Sequence, residues 1–141
     1  MQFGEVRSMA TVPQELDWVK ARATCSVLRA FNELRLGVEE DVKAANATPR
    51  PSELPPLSFG VRSNTVGDYF IVFQQENAGA RVEFNCQVDR MTIKNQNEEF
   101  SVTLTLNKEG RCKLRVDDGE ELEQWQVRRI ALEKLFFDSS H

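Results

Sequence analysis

This sequence predicts an α+β fold, in which a long N-terminal helix packs on one face of a six-stranded antiparallel meander and a C-terminal helix closes the domain. Three changes of period predict it. Apolar residues recur at steps of three and four from Thr11 to Ala47, at steps of two from Leu57 to Val116, and at helical steps again from Glu120 to about Phe137. A chain of 141 residues, 40% of them hydrophobic, supplies one core, so residues 1–141 read as a single domain with Met1–Ala10 as a flexible leader.

In the first helix, Leu16, Val19, Ala23, Val27, Ala30, Leu34, Val38, Val42 and Ala45 share one side, widened by Phe31. Thr11 with Gln14 fits a capping box, Pro13 suits the first turn, and Thr48-Pro49 ends the helix. Gly37 is the place where a break or kink is expected. Trp18, Cys25 and Leu36, spaced by seven and eleven residues, form a second apolar stripe roughly opposite the first. A helix apolar on two sides needs two neighbours: the sheet, and either the C-terminal helix or another subunit.

Residues 48–56 hold four of the five prolines and read as an extended connection from helix to sheet. Six alternating runs follow, starting at Leu57, Asp68, Arg81, Met91, Phe100 and Cys112. Short Asn- and Gly-containing connections join them, which requires antiparallel neighbours because parallel strands need long crossovers. Asp117-Asp118-Gly119-Glu120 then turns the chain into the last helix. Leu122, Trp125, Leu132 and Phe136 line one face of that helix, with Ile130 and Phe137 beside it.

Composition excludes several functions. A net charge of −4 argues against general polyanion binding, nucleic acid included. No apolar run is long enough for a signal peptide or a membrane span, so the expected location is the cytoplasm. Cys25, Cys86 and Cys112 are odd in number and form no C-x-x-C pair, so they are expected to be buried thiols. The only histidine is His141, which removes imidazole-based catalysis and histidine metal sites. There is no phosphate-binding glycine loop, and no cofactor is called for.

Three smaller features have structural readings. Asp117, Asp118, Glu120 and Glu121 depart from calcium-loop spacing and read as a turn plus a helix N-terminus, not a metal site. Arg111, Lys113 and Arg115 form a basic stripe without the outward aromatics that single-stranded nucleic acid requires. Cys25 between Arg22 and Arg29 is packing material unless it is exposed.

A strand meander followed by a helix with a tryptophan (Glu121-Leu122-Glu123-Gln124-Trp125) resembles the end of a pleckstrin-homology domain, which would imply phosphoinositide or protein binding. In this chain the Gly60–Tyr69 hairpin lacks a basic cluster, and the long first helix has no place in that fold. The order helix, consecutive strands, helix is also similar to the acidic mitochondrial matrix protein family. Neither likeness in element order assigns a function.

Two function classes remain. The first is a non-enzymatic cytosolic protein-interaction domain, a homo-oligomer or the docking site of a protein partner, through Trp18, Cys25 and Leu36. The alternative is a carrier of a small apolar ligand, in a pocket between sheet and long helix lined by Phe31, Phe59, Phe73, Phe84 and Phe100.

Overall fold

The structure is a computed structural model that describes residues 17–138. The expectations for Met1–Ala10, the Thr11–Gln14 cap, Pro13, Leu16 and His141 lie outside the described residues. Asp17 caps the first helix among the described residues, α1 (Trp18–Thr24), by accepting the Lys20 N–H at 3.2 Å. Ser26 caps the second, α2 (Val27–Ala47), by accepting the Arg29 N–H at 3.2 Å.

The expected long helix is therefore divided, at Cys25–Ser26 and not at Gly37. At the break Ser26 caps the second helix, and Cys25 is disulfide-bonded to Cys112, 87 residues on. This corrects the reading of three buried thiols; among the described residues Cys86 alone is unpaired. Gly37 sits inside α2 for reasons of space. A Cβ there would stand 2.5 Å from Arg128 Nη1, so the missing side chain is the gap through which Arg128 crosses α2 to reach Asp41 at 2.7 Å.

Seven strands follow, one more than expected: β1 (Phe59–Ser63), β2 (Tyr69–Gln74), β3 (Asn77–Cys86), β4 (Met91–Lys94), β5 (Glu99–Leu106), β6 (Cys112–Val116) and β7 (Glu121–Leu122). They form one antiparallel sheet in sequence order. Asparagine organises three of the hairpins. Asn64 Oδ1 accepts from Gly67 N, Asn95 Oδ1 from Asn97 N and Glu98 N, and Asn107 Oδ1 from Glu109 N and Arg111 N. The extra strand arises because Asp117 and Asp118 both take positive φ, 51° and 60°, the signature of a hairpin turn that returns the chain against β6.

Cross-strand register places Phe70, Phe84 and Ile93 in one row and Val72 opposite Val82. This face is covered by α2, through Phe31, Leu34, Val38 and Val42, and by the last helix, α3 (Gln124–Phe137). The α3 residues that are buried are Val127, Ala131, Leu132, Leu135 and Phe136, so the expected face is rotated and Trp125, Ile130 and Phe137 lie outside it. The helix also starts later than expected: Glu123 and Gln126 form a reciprocal capping box, and β7 has taken the residues before it. At the other end, buried Gln74 donates to the Leu135 carbonyl at 3.4 Å.

The opposite sheet face is not wholly polar. Phe73 lies there, its ring against Gly60, where a Cβ would come within 2.7 Å, and beneath the Arg62 guanidinium at 4.9 Å.

Asn46, one residue before the end of α2, faces the free side of β1. Its amide donates to the Phe59 carbonyl at 3.0 Å and accepts the Phe59 N–H at 2.8 Å, as a neighbouring strand would. Asn46→Ala is expected to destabilise the fold by about 1–2 kcal/mol, since it leaves two part-buried backbone groups unpaired. Urea unfolding checks this; an unchanged midpoint would mean that solvent replaces the amide at no cost.

Candidate functional site

The sequence-derived interface stripe is not assembled in this structure. Trp18 is 64% exposed and Leu36 55% exposed, whereas Cys25 is only 4% exposed and held in the disulfide. The C-terminal helix does not cover Trp18. The basic stripe is partly neutralised: Lys113 pairs with Glu123, and Arg115 reaches Glu121 at 3.6 Å and the Gly119 carbonyl at 2.6 Å. The same lysine holds the Glu123 carboxyl below the usual glutamate range. Among the described residues no three His, Cys, Asp or Glu side chains converge as metal ligands. No helix among them is long and apolar enough to cross a membrane.

The five phenylalanines proposed as a pocket are spread over both sheet faces. Phe31, Phe59 and Phe84 are core residues; Phe31 meets Phe70 at 5.3 Å, Phe70 stacks on Phe84 at 4.4 Å, and Phe59 meets Phe136 edge-on at 4.8 Å. Phe100 packs on the margin of that core, and Phe73 points the other way.

Two apolar concavities lie on the outside of α3. One groove of about 360 Å³ runs between α2 and α3, floored by Ala45, Leu132 and Phe136. A second, of about 250 Å³, is lined by Leu122, Gln126 and Ile130. Trp125, Arg129 and Glu133 line both grooves, so they form the ridge between them, and Phe137 extends that ridge. The four are spaced by four residues, which makes one of the i±4 rows by which helices pack. Trp125 is 53% and Phe137 68% exposed, both large values for aromatic side chains. Arg129 meets Glu133 at 3.3 Å within the chain, and Arg128 beside them is fixed by Asp41 and by Gln124 at 2.6 Å.

Arg129 and Glu133 did not stand out in the sequence, because an i,i+4 ion pair is the ordinary dress of a solvated helix face. The visible signal was the aromatic at each end of the row, Trp125 and Phe137, twelve residues apart. No family model matches this chain, and neither a curated protein nor a solved structure resembles it at a meaningful level.

Proposed function

We propose that the chain is a non-enzymatic interaction domain whose partner is a second copy of itself, docked through α3. The observation that carries this reading is the self-complementarity of the ridge. Laid antiparallel on its own copy about a two-fold axis between Arg129 and Glu133, the row sets Trp125 against Phe137 at both ends. In the middle it sets Arg129 against Glu133 twice. An isologous contact needs such a palindromic pattern. A groove on each side of the ridge gives the partner ridge a seat, in the manner of i±4 packing.

The test is a charge swap read by light scattering across concentrations up to roughly the millimolar range, since a single helix pair buries less than a standard interface. The wild type should dimerise. Arg129→Glu alone should weaken the dimer at least about tenfold, because it places carboxylates against carboxylates. Arg129→Glu/Glu133→Arg should restore it, since the pairing is preserved in mirror order. A monomeric wild type, or a double variant no better than the single one, ends the idea.

The cytosolic setting expected from the sequence and the disulfide pull in different directions, because disulfides persist where thiols are not kept reduced. A chain that passes between the two thiol states reconciles them.

A further inference from the structure

We propose that the Cys25–Cys112 disulfide is a redox latch holding open a break in one continuous helix, and that its reduction lets α1 and α2 join into a single helix from Trp18 to Ala47. The inference goes beyond the α3 dimer and does not depend on it.

The apolar period crosses the break without losing phase, through Val19, Ala23, Val27, Ala30 and Leu34. The residues at the break, Thr24-Cys25-Ser26-Val27, include neither proline nor glycine, so the local sequence contains no strong helix breaker. Hydrogen bonding is helical up to the break and after it: Cys25 N–H reaches the Ala21 carbonyl at 3.1 Å, and Ala30 N–H the Ser26 carbonyl at 2.9 Å. Only Cys25 (φ −89°, ψ 69°) and Ser26 (φ −114°, ψ 149°) need new backbone angles.

Beside the Ser26 cap, which a continuous helix would give up, the restraint on them is the sulfur. At about 100° per residue, Cys25 on a straight helix would lie roughly 120° away from Phe31, off the side that meets the sheet. It is nevertheless buried and bonded to β6. The geometry of the bond and the geometry of a straight helix compete for one residue.

α1 is free to respond. None of its residues is buried, and a seven-residue helix is below the length of about 12–15 residues at which isolated helices begin to hold. Reduction therefore leaves it two outcomes, to continue α2 or to melt, and the uninterrupted period favours continuation.

The chemistry is ordinary exchange with a low-molecular-weight thiol or dithiol. Cys112 is exposed and Cys25 is not, so the reductant thiolate attacks Cys112 Sγ and Cys25 leaves as thiolate and takes a proton. A second reductant thiol then resolves the mixed disulfide, frees Cys112 as a thiol and leaves the reductant oxidised by two electrons. Cys86 does not compete as a nucleophile, because burial, helped by nearby Asp68, pushes its thiol up. On the joined helix, Trp18, Cys25 and Leu36 would fall within about 20° of one another, so the reduced form assembles the stripe that the oxidised form breaks up.

The experiment is heteronuclear NMR of the full chain, oxidised and after dithiothreitol, with free thiols counted by alkylation and mass spectrometry. Reduction should move the ¹³Cα shifts of Thr24, Cys25 and Ser26 to helical values. It should also slow amide exchange at Cys25–Leu28 by at least about tenfold, and reoxidation should reverse both. Cys112→Ser should show the reduced pattern without reductant; if that variant does not fold, the reversible wild-type comparison decides. Complete reduction that leaves these shifts non-helical, or melts α1, overturns the proposal, as does an oxidised chain that lacks the Cys25–Cys112 link.

Discussion

Phe84→Ala should cost about 3–5 kcal/mol of folding stability, the range for truncating a fully buried phenylalanine. Phe84 is fully buried near the C-terminal end of β3, paired across the sheet with Phe70 on one side and Ile93 on the other. Its ring lies nearly parallel to that of Phe70, 10° between planes, and Phe70 in turn touches Phe31 of α2. Removing the ring opens a cavity where sheet and helix meet, and neighbours anchored on two strands and a helix cannot collapse into it. The midpoint of thermal unfolding should fall by on the order of 10–20 °C. Phe73→Ala is the control, because that ring lies on the outer face against Gly60 and under Arg62. A loss there as large as at Phe84 would mean that the outer face is as much a core as the inner one.

Reduction of the disulfide should cost about 2–4 kcal/mol, because the bond closes a long loop, 87 residues in sequence, and so restricts the unfolded chain strongly. The protein should nevertheless remain folded. The buried cluster that joins α2, α3 and the sheet contains no residue of α1 and neither cysteine of the bridge. Denaturant unfolding with and without dithiothreitol checks both statements. Cys112→Ser should reproduce the reduced midpoint and Cys86→Ser should stay within about 1 kcal/mol of wild type. Equal midpoints in the two redox states would show that the link contributes nothing to stability.

What the residues announced and what they concealed divide along the range of the interactions. Alternation in stretches such as Phe100, Val102, Leu104 and Leu106 is a local consequence of a half-buried strand, and the strand it predicts is present as β5. The α+β class and the antiparallel order follow from such runs and the short turns between them. The helix break was hidden because the apolar period runs across it without a proline or glycine, while the partner of Cys25 in the disulfide, Cys112, is distant in sequence. β7 was hidden because two consecutive aspartates at positive φ imitate the acidic start of a helix. In α3 the apolar residues are spread too widely for one face to stand out, so Trp125, expected on the buried face, and Phe137, expected beside it, both project outward. Arg128 could not have been tied to Gly37 from sequence, since the contact joins two elements ninety-one residues apart.

Asn46 has one more effect, on how copies of this protein can add to one another. A bare strand edge is an unfinished row of hydrogen bonds, and whatever completes it offers a new bare edge in turn. By satisfying both backbone groups of Phe59, Asn46 closes the start of the β1 edge, and β7 at the far side offers only two residues. The edge left for a further strand is thus shortened on the β1 side and only two residues long on the β7 side. The pairing proposed for the α3 ridge, in contrast, would use each ridge once, so the assembly it allows would be counted in twos.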